Sequence, residues 1–133
     1  MNKKYADLGM LIIRLGVGLG FIYFHGWGKI TGGPERWERL GSAMRHLGID
    51  FAHTFFGFMA ALAETVCALF FAAGFLFTPM SWLLAFTMLV ATYSHISTGE
   101  GSPGNSMKYL FLFFGISFIS PGKYSIDYLL KKK

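Results

Sequence analysis

Long apolar runs with almost no charge in them constrain this chain more than any other feature, because each approaches the roughly 20 residues a helix needs to cross a bilayer. The first runs from about Tyr5 to Trp27, interrupted only by Asp7, Arg14 and His25. The second covers roughly Thr54 to Phe77 with Glu64 in its middle, the third about Pro79 to His95, and the fourth about Met107 to Ser120. Lipid leaves the backbone of such a run no partner outside itself, so the first is expected to stay helical through Gly16, Gly18 and Gly20. Thr78 and Pro79 end the second run, and the third must turn straight back. Between the first two, Gly32, Gly33 and Pro34 break the helix, and Glu35, Arg36, Trp37, Glu38, Arg39, Leu40, Met44 and Leu47 predict a short amphipathic helix at the interface. The expected fold is all-α: an integral membrane, antiparallel bundle of four transmembrane helices with spans near 5–27, 54–77, 79–96 and 107–120. It forms one domain over 1–133.

Composition agrees, with 53% of residues hydrophobic, 14% charged and a mean hydropathy of +0.47, fewer charges than a soluble domain of this size carries. The net charge of +5 resides largely in Lys3, Lys4, Lys123 and Lys131 to Lys133 near the termini. An even number of crossings puts both termini on one side, and these lysines favour the cytoplasm, against a smaller opposing bias from Arg36, Arg39 and Arg45. No basic patch interleaved with stacking aromatics is visible, which argues against a nucleic-acid partner. The single cysteine, Cys67, excludes an intramolecular disulfide or a CxxC pair. Gly26, Trp27, Gly28 and Lys29 stand where a signal peptide would carry small residues for cleavage, so the first run reads as a retained helix.

A charge inside a membrane span costs about 2.5 to 3.5 kcal/mol, so Arg14 and Glu64 each need a partner or a wet cavity, and a structural ion pair between them is the economical expectation. Counting from Tyr5 and Phe77, they lie roughly 13 and 20 Å from the cytoplasmic face, a gap an extended arginine can close. Arg14, Gly18, Phe21 and His25 follow at steps of four, three and four and share one helix face. Ser81, Ala85, Met88, Thr92 and His95 repeat those steps on the third span. With Lys29 beside His25 and Lys108 opening the fourth span, a cationic, titratable mouth is expected on the non-cytoplasmic side. Each feature also has a plainer reading: Arg14 and Glu64 as an assembly clamp, the histidines as interfacial side chains at helix ends, Cys67 as core filler. Two histidines without a third ligand at useful spacing give no case for a metal or haem. The many phenylalanines are packing or lipid-facing surface, some of which can line a site for a flat hydrophobic ligand such as a quinone.

Arg14-Leu15-Gly16-Val17-Gly18 through Phe24-His25-Gly26-Trp27-Gly28-Lys29 resembles the opening helix of DoxX-like membrane proteins. Glu64, the hairpin at Pro79, His95 late in the third span and Lys108 at the start of the fourth extend the resemblance over nearly the whole chain. It implies a multi-pass protein of the bacterial plasma (inner) membrane, in a family associated with quinone-linked oxidation of sulfur compounds and with membrane oxidoreductase complexes. On that basis His25, His95 and Glu64 become the candidate catalytic groups, the histidines hydrogen-bonding a quinone and exchanging protons. Arg14, Lys29 and Lys108 become the candidate substrate-binding groups. No tightly bound cofactor is expected, so redox work requires the quinone itself and partner subunits, with a homodimer suggested by the Gly16 and Gly20 spacing. The alternatives are a non-enzymatic anchor or assembly subunit, and a small transporter or channel subunit.

Overall fold

The computed structural model describes residues 2–133, which are helical with no strand among them. Two long rods dominate. The first, Lys3–Ile30, joins α1 (Lys3–Phe21) to α2 (Trp27–Ile30) through a π-helical turn, Ile22–Gly26. The second, His53–Ala73, joins α4 (His53–Leu62) to α5 (Ala68–Ala73) through a second π-helical turn, Ala63–Cys67. Both rods, 28 and 21 residues long, are long and apolar enough to cross a membrane. Between them lie α3 (Pro34–Gly41) and a 3₁₀ turn, Ser42–Leu47. Then follow α6 (Phe77–Thr98), α7 (Pro103–Ile116) and α8 (Ile126–Lys131). At 22 residues α6 is long enough to cross, though its Ser, Thr and His positions dilute its apolarity, and α7 has 14 residues.

The rods run antiparallel. Gly18 lies against Ala68 and Ala72, and Gly26 against the carbonyl of Glu64. α6 and α7 form a second antiparallel pair, joined at one end by the Thr92 to Ser106 hydroxyl bond (3.0 Å) and at the other by Trp82 against Phe114 and Phe118. Phe21, Phe71, Phe77 and Phe113, all fully buried, interlock where the two pairs meet, with ring centroids 5.1 to 5.4 Å apart. Packing of this kind adds about 0.5 to 1.5 kcal/mol per aromatic pair beyond area burial.

Two boundaries and the placement of one helix differ from the sequence reading. The turn between α5 and α6 falls at Gly74 to Leu76, and Pro79 sits in the first turn of α6, where its missing N–H costs nothing. The Asp127 carboxylate accepts the N–H groups of Leu76 and Phe77, both at 2.9 Å, while its own N–H donates to the Gly74 carbonyl. α7 begins at Pro103, an N-terminal proline whose φ suits a helix start. The amphipathic α3 does not stand apart: it runs along α4 at backbone contact, since a methyl on Gly57 would land on the Trp37 carbonyl and one on Gly41 on the His53 carbonyl.

Candidate functional site

The two π-helical turns lie against each other, and a buried ion pair sits beside them. Lys29 Nζ is 2.5 Å from Glu64 Oε2, with the glutamate side chain 2% exposed and the lysine 22%. A π turn widens the helix by one residue and redirects the side chains that follow it. Glu64 belongs to one such turn and Lys29 comes three residues after the other. Gly26, lacking a side chain, lets the first rod close onto the Glu64 carbonyl, and Trp37 Nε1 donates to the Lys29 carbonyl at 2.9 Å, fixing the end of α2 from α3.

This ion pair forms part of the wall of a cleft of about 680 Å³ between α4, residues 83–95 of α6 and the α3 segment. Phe55, Phe56 and Met59 line one side and Leu83, Phe86 and Val90 the other; Leu40, Met44 and Ile49 complete the apolar lining. The polar points are few: Lys29, Glu64, Arg39, Thr87, Ser94 and His95. Phe55, Met59, Leu83 and Phe86 are all more than 40% exposed, so the cleft opens sideways on the apolar flank of the bundle. An apolar slot of this size with a few convergent polar groups is the usual form of a site for a small lipophilic molecule.

The family profile described as DoxX matches residues 9–96. The chain belongs to the DoxX family. The inner membrane protein YqjF of Escherichia coli (strain K12) is 34% identical over 145 aligned positions, covering 98% of both chains. No solved structure matches the chain. The DoxX match spans every residue lining the cleft, from Lys29 to His95, and leaves out all of α7 and α8.

Within this DoxX chain the sequence-predicted residues separate into three places. Lys29, Glu64 and His95 line the cleft. His25 does not; it stacks on Phe21 at 4.7 Å and meets the edge of Tyr109 at 5.7 Å, on the α7 side of the first rod. Lys108 is exposed on α7 and is not part of the lining. The single cationic mouth expected from His25, His95, Lys29 and Lys108 is thus not assembled, because the π turn shifts the inward face by one residue and turns Gly26 toward the second rod in place of His25.

The expected Arg14 to Glu64 pair is corrected: Glu64 pairs with Lys29, and Arg14 lies elsewhere. Arg14 is fully buried, packs on Gly74, and donates from Nη2 to the Tyr124 carbonyl at 3.0 Å, with Nε and Nη1 finding no partner among the described residues. Glu64 is ten residues from Gly74, about 15 Å along the helix, beyond the reach of Arg14. The sequence estimate set Tyr5 level with Phe77, whereas α1 begins well beyond the α5–α6 turn. Residues missed by the sequence reading include Trp37, which anchors Lys29, and the group Tyr124, Ser125 and Asp127. An isolated acid in an otherwise basic tail was the available signal for Asp127.

Proposed function

We propose that this DoxX protein crosses the inner membrane four times, binds the head group of a quinone in the lateral cleft, and serves as the quinone-binding subunit of a membrane oxidoreductase. The observation that carries the reading is the buried Lys29 to Glu64 pair on the wall of an apolar cleft that also includes His95. Support for four crossings comes from the two antiparallel helix pairs and from the inner membrane protein it resembles. The terminal lysines favour cytoplasmic N- and C-termini.

A quinone ring slides between the phenylalanines of α4 and α6, with its tail left in lipid. Lys29 Nζ donates to one quinone oxygen while Glu64 holds the ammonium in place. His95, on the cleft wall, hydrogen-bonds the other quinone oxygen. Reduction to quinol takes two electrons and two protons; a partner subunit that oxidises the substrate supplies the electrons, and the polar residues of the cleft conduct the protons.

The test is saturable quinone and quinol binding to the purified protein in nanodiscs. Wild type binds; His95→Ala weakens binding about fivefold, the worth of one hydrogen bond; His25→Ala, outside the cleft, binds as wild type. No saturable binding by wild type sinks the proposal and favours an anchoring or assembly subunit.

A further inference from the structure

At the far end of the first rod a second concavity, of about 340 Å³, is lined by Lys3, Lys4, Asp7, Ser120, Lys123 and Tyr128. Its three lysines come from two segments remote in sequence. Lys3 and Lys4 open α1, while Lys123 belongs to the turn after α7, held in place by its N–H donating to Asp7 Oδ1 at 3.2 Å. None of the ion pairs among the described residues uses these lysines. Asp7 is the one opposing charge in the lining, so the pocket carries excess positive charge, to which the N-terminal end of α1 adds the partial charge of the helix dipole.

The surface running away from this pocket decides what kind of anion fits. Lys4, Leu8, Ile12, Leu15, Leu19 and Tyr23 follow one another at helical steps of three or four, and all are exposed. Below Lys4 the stripe is apolar for about 22 Å of helix rise to Leu19, the length over which an acyl chain would lie. We propose that this pocket binds the phosphate head group of an anionic phospholipid, with the lysines on the phosphate oxygens, the Ser120 and Tyr128 hydroxyls on the remaining polar atoms, and the acyl chains along the α1 stripe. Juxtamembrane lysine clusters attract anionic lipid in this way. The site rests on the first rod lying in the bilayer and is independent of what occupies the lateral cleft.

The experiment is native mass spectrometry of the full-length protein released from nanodiscs containing equal phosphatidylglycerol and phosphatidylcholine. Wild type retains phosphatidylglycerol preferentially. Lys3→Gln, Lys4→Gln, Lys123→Gln together reduce that retention, about fivefold for each lysine removed. The Arg replacements at the same three positions restore it, and Lys131→Gln, Lys132→Gln, Lys133→Gln leave it intact. Equal loss in the tail variant, or no preference in wild type, overturns the site. Binding of inorganic phosphate with the same lysine dependence and no retained lipid overturns the lipid assignment in favour of a free oxyanion. Should the triple Gln variant fail to fold, judged by its unfolding temperature, Lys123→Gln alone and the Arg variant decide between these outcomes.

Discussion

Glu64 is 1% exposed and its charge is balanced by one lysine. Removing one partner of a buried pair strands the other, which costs about 3 to 5 kcal/mol, whereas replacing both by apolar groups is often near neutral. Lys29→Met is therefore expected to lower the thermal unfolding midpoint sharply in mild detergent, and Lys29→Met with Glu64→Leu to recover most of the loss; equal destabilisation by single and double variants counts against the pairing. At this scale the sequence told which residues are anomalous but not who meets whom. Glu64, Arg14, Lys29 and His95 all stood out as polar groups in apolar runs, yet the choice between Arg14 and Lys29 as the partner of Glu64 depends on how far α1 is displaced along the second rod. No residue pattern encodes that displacement; it follows from close packing at Gly18, Gly26 and Gly74.

The helical elements were legible to the degree that they are regular. α6 is an uninterrupted α-helix, and the stripe Ser81, Ala85, Met88, Thr92 is buried throughout, with His95 half-buried at its end, as the step pattern requires. In the first rod Arg14, Gly18 and Phe21 are buried as expected, and the register then slips at the π turn. Periodicity analysis assumes 3.6 residues per turn and is blind to such a slip. The loop leading into α4 supplies a pH-dependent element. Arg45 Nε donates to Asp50 Oδ1 at 2.7 Å and His53 Nε2 lies 3.1 Å from the same oxygen. The Arg45 hydrogen bond, with the charges of Arg45 and then His53, holds the Asp50 carboxyl below its ordinary value of 3.8. A carboxylate so lowered adds stability above that ordinary value and loses it as pH falls through the lowered one. Protection of the amides over residues 45–53, taken relative to the intrinsic exchange rate at each pH, should therefore fall in acid below about pH 4, and Asp50→Asn should remove that pH dependence; salt should weaken it, since Asp50 is exposed.

On the scale of the whole molecule, the chain after α7 closes the bundle from below. Tyr124 gives Arg14 its hydrogen-bond acceptor, Asp127 caps α6, and Ser125, fully buried, donates to the Gly122 carbonyl at 2.6 Å. Removing residues 121–133 strips Arg14 of that acceptor and α6 of its cap. A buried polar group left unsatisfied costs about 1 to 3 kcal/mol and a charged one more, and a lost cap about 1. The truncated protein is expected to unfold at a lower temperature than wild type, and Asp127→Ala to reproduce the smaller share; an unchanged midpoint on truncation would show that the tail is not part of the closed structure. This tail was read from the sequence as an extension of the fourth span or an interfacial segment, because its link to Arg14 bridges more than a hundred residues.

Each π turn holds one residue more than an α-helix would use over the same length. A relative that dropped a single residue within 22–26 or 63–67 could revert to an uninterrupted α-helix there, with the flanking faces of the rod still in register. Its bundle would survive, and the side chains that changed bearing would be those of the turn itself, Glu64 among them. The charged wall of the cleft thus stands beside the two places where a one-residue change of length leaves the rest of the scaffold in register.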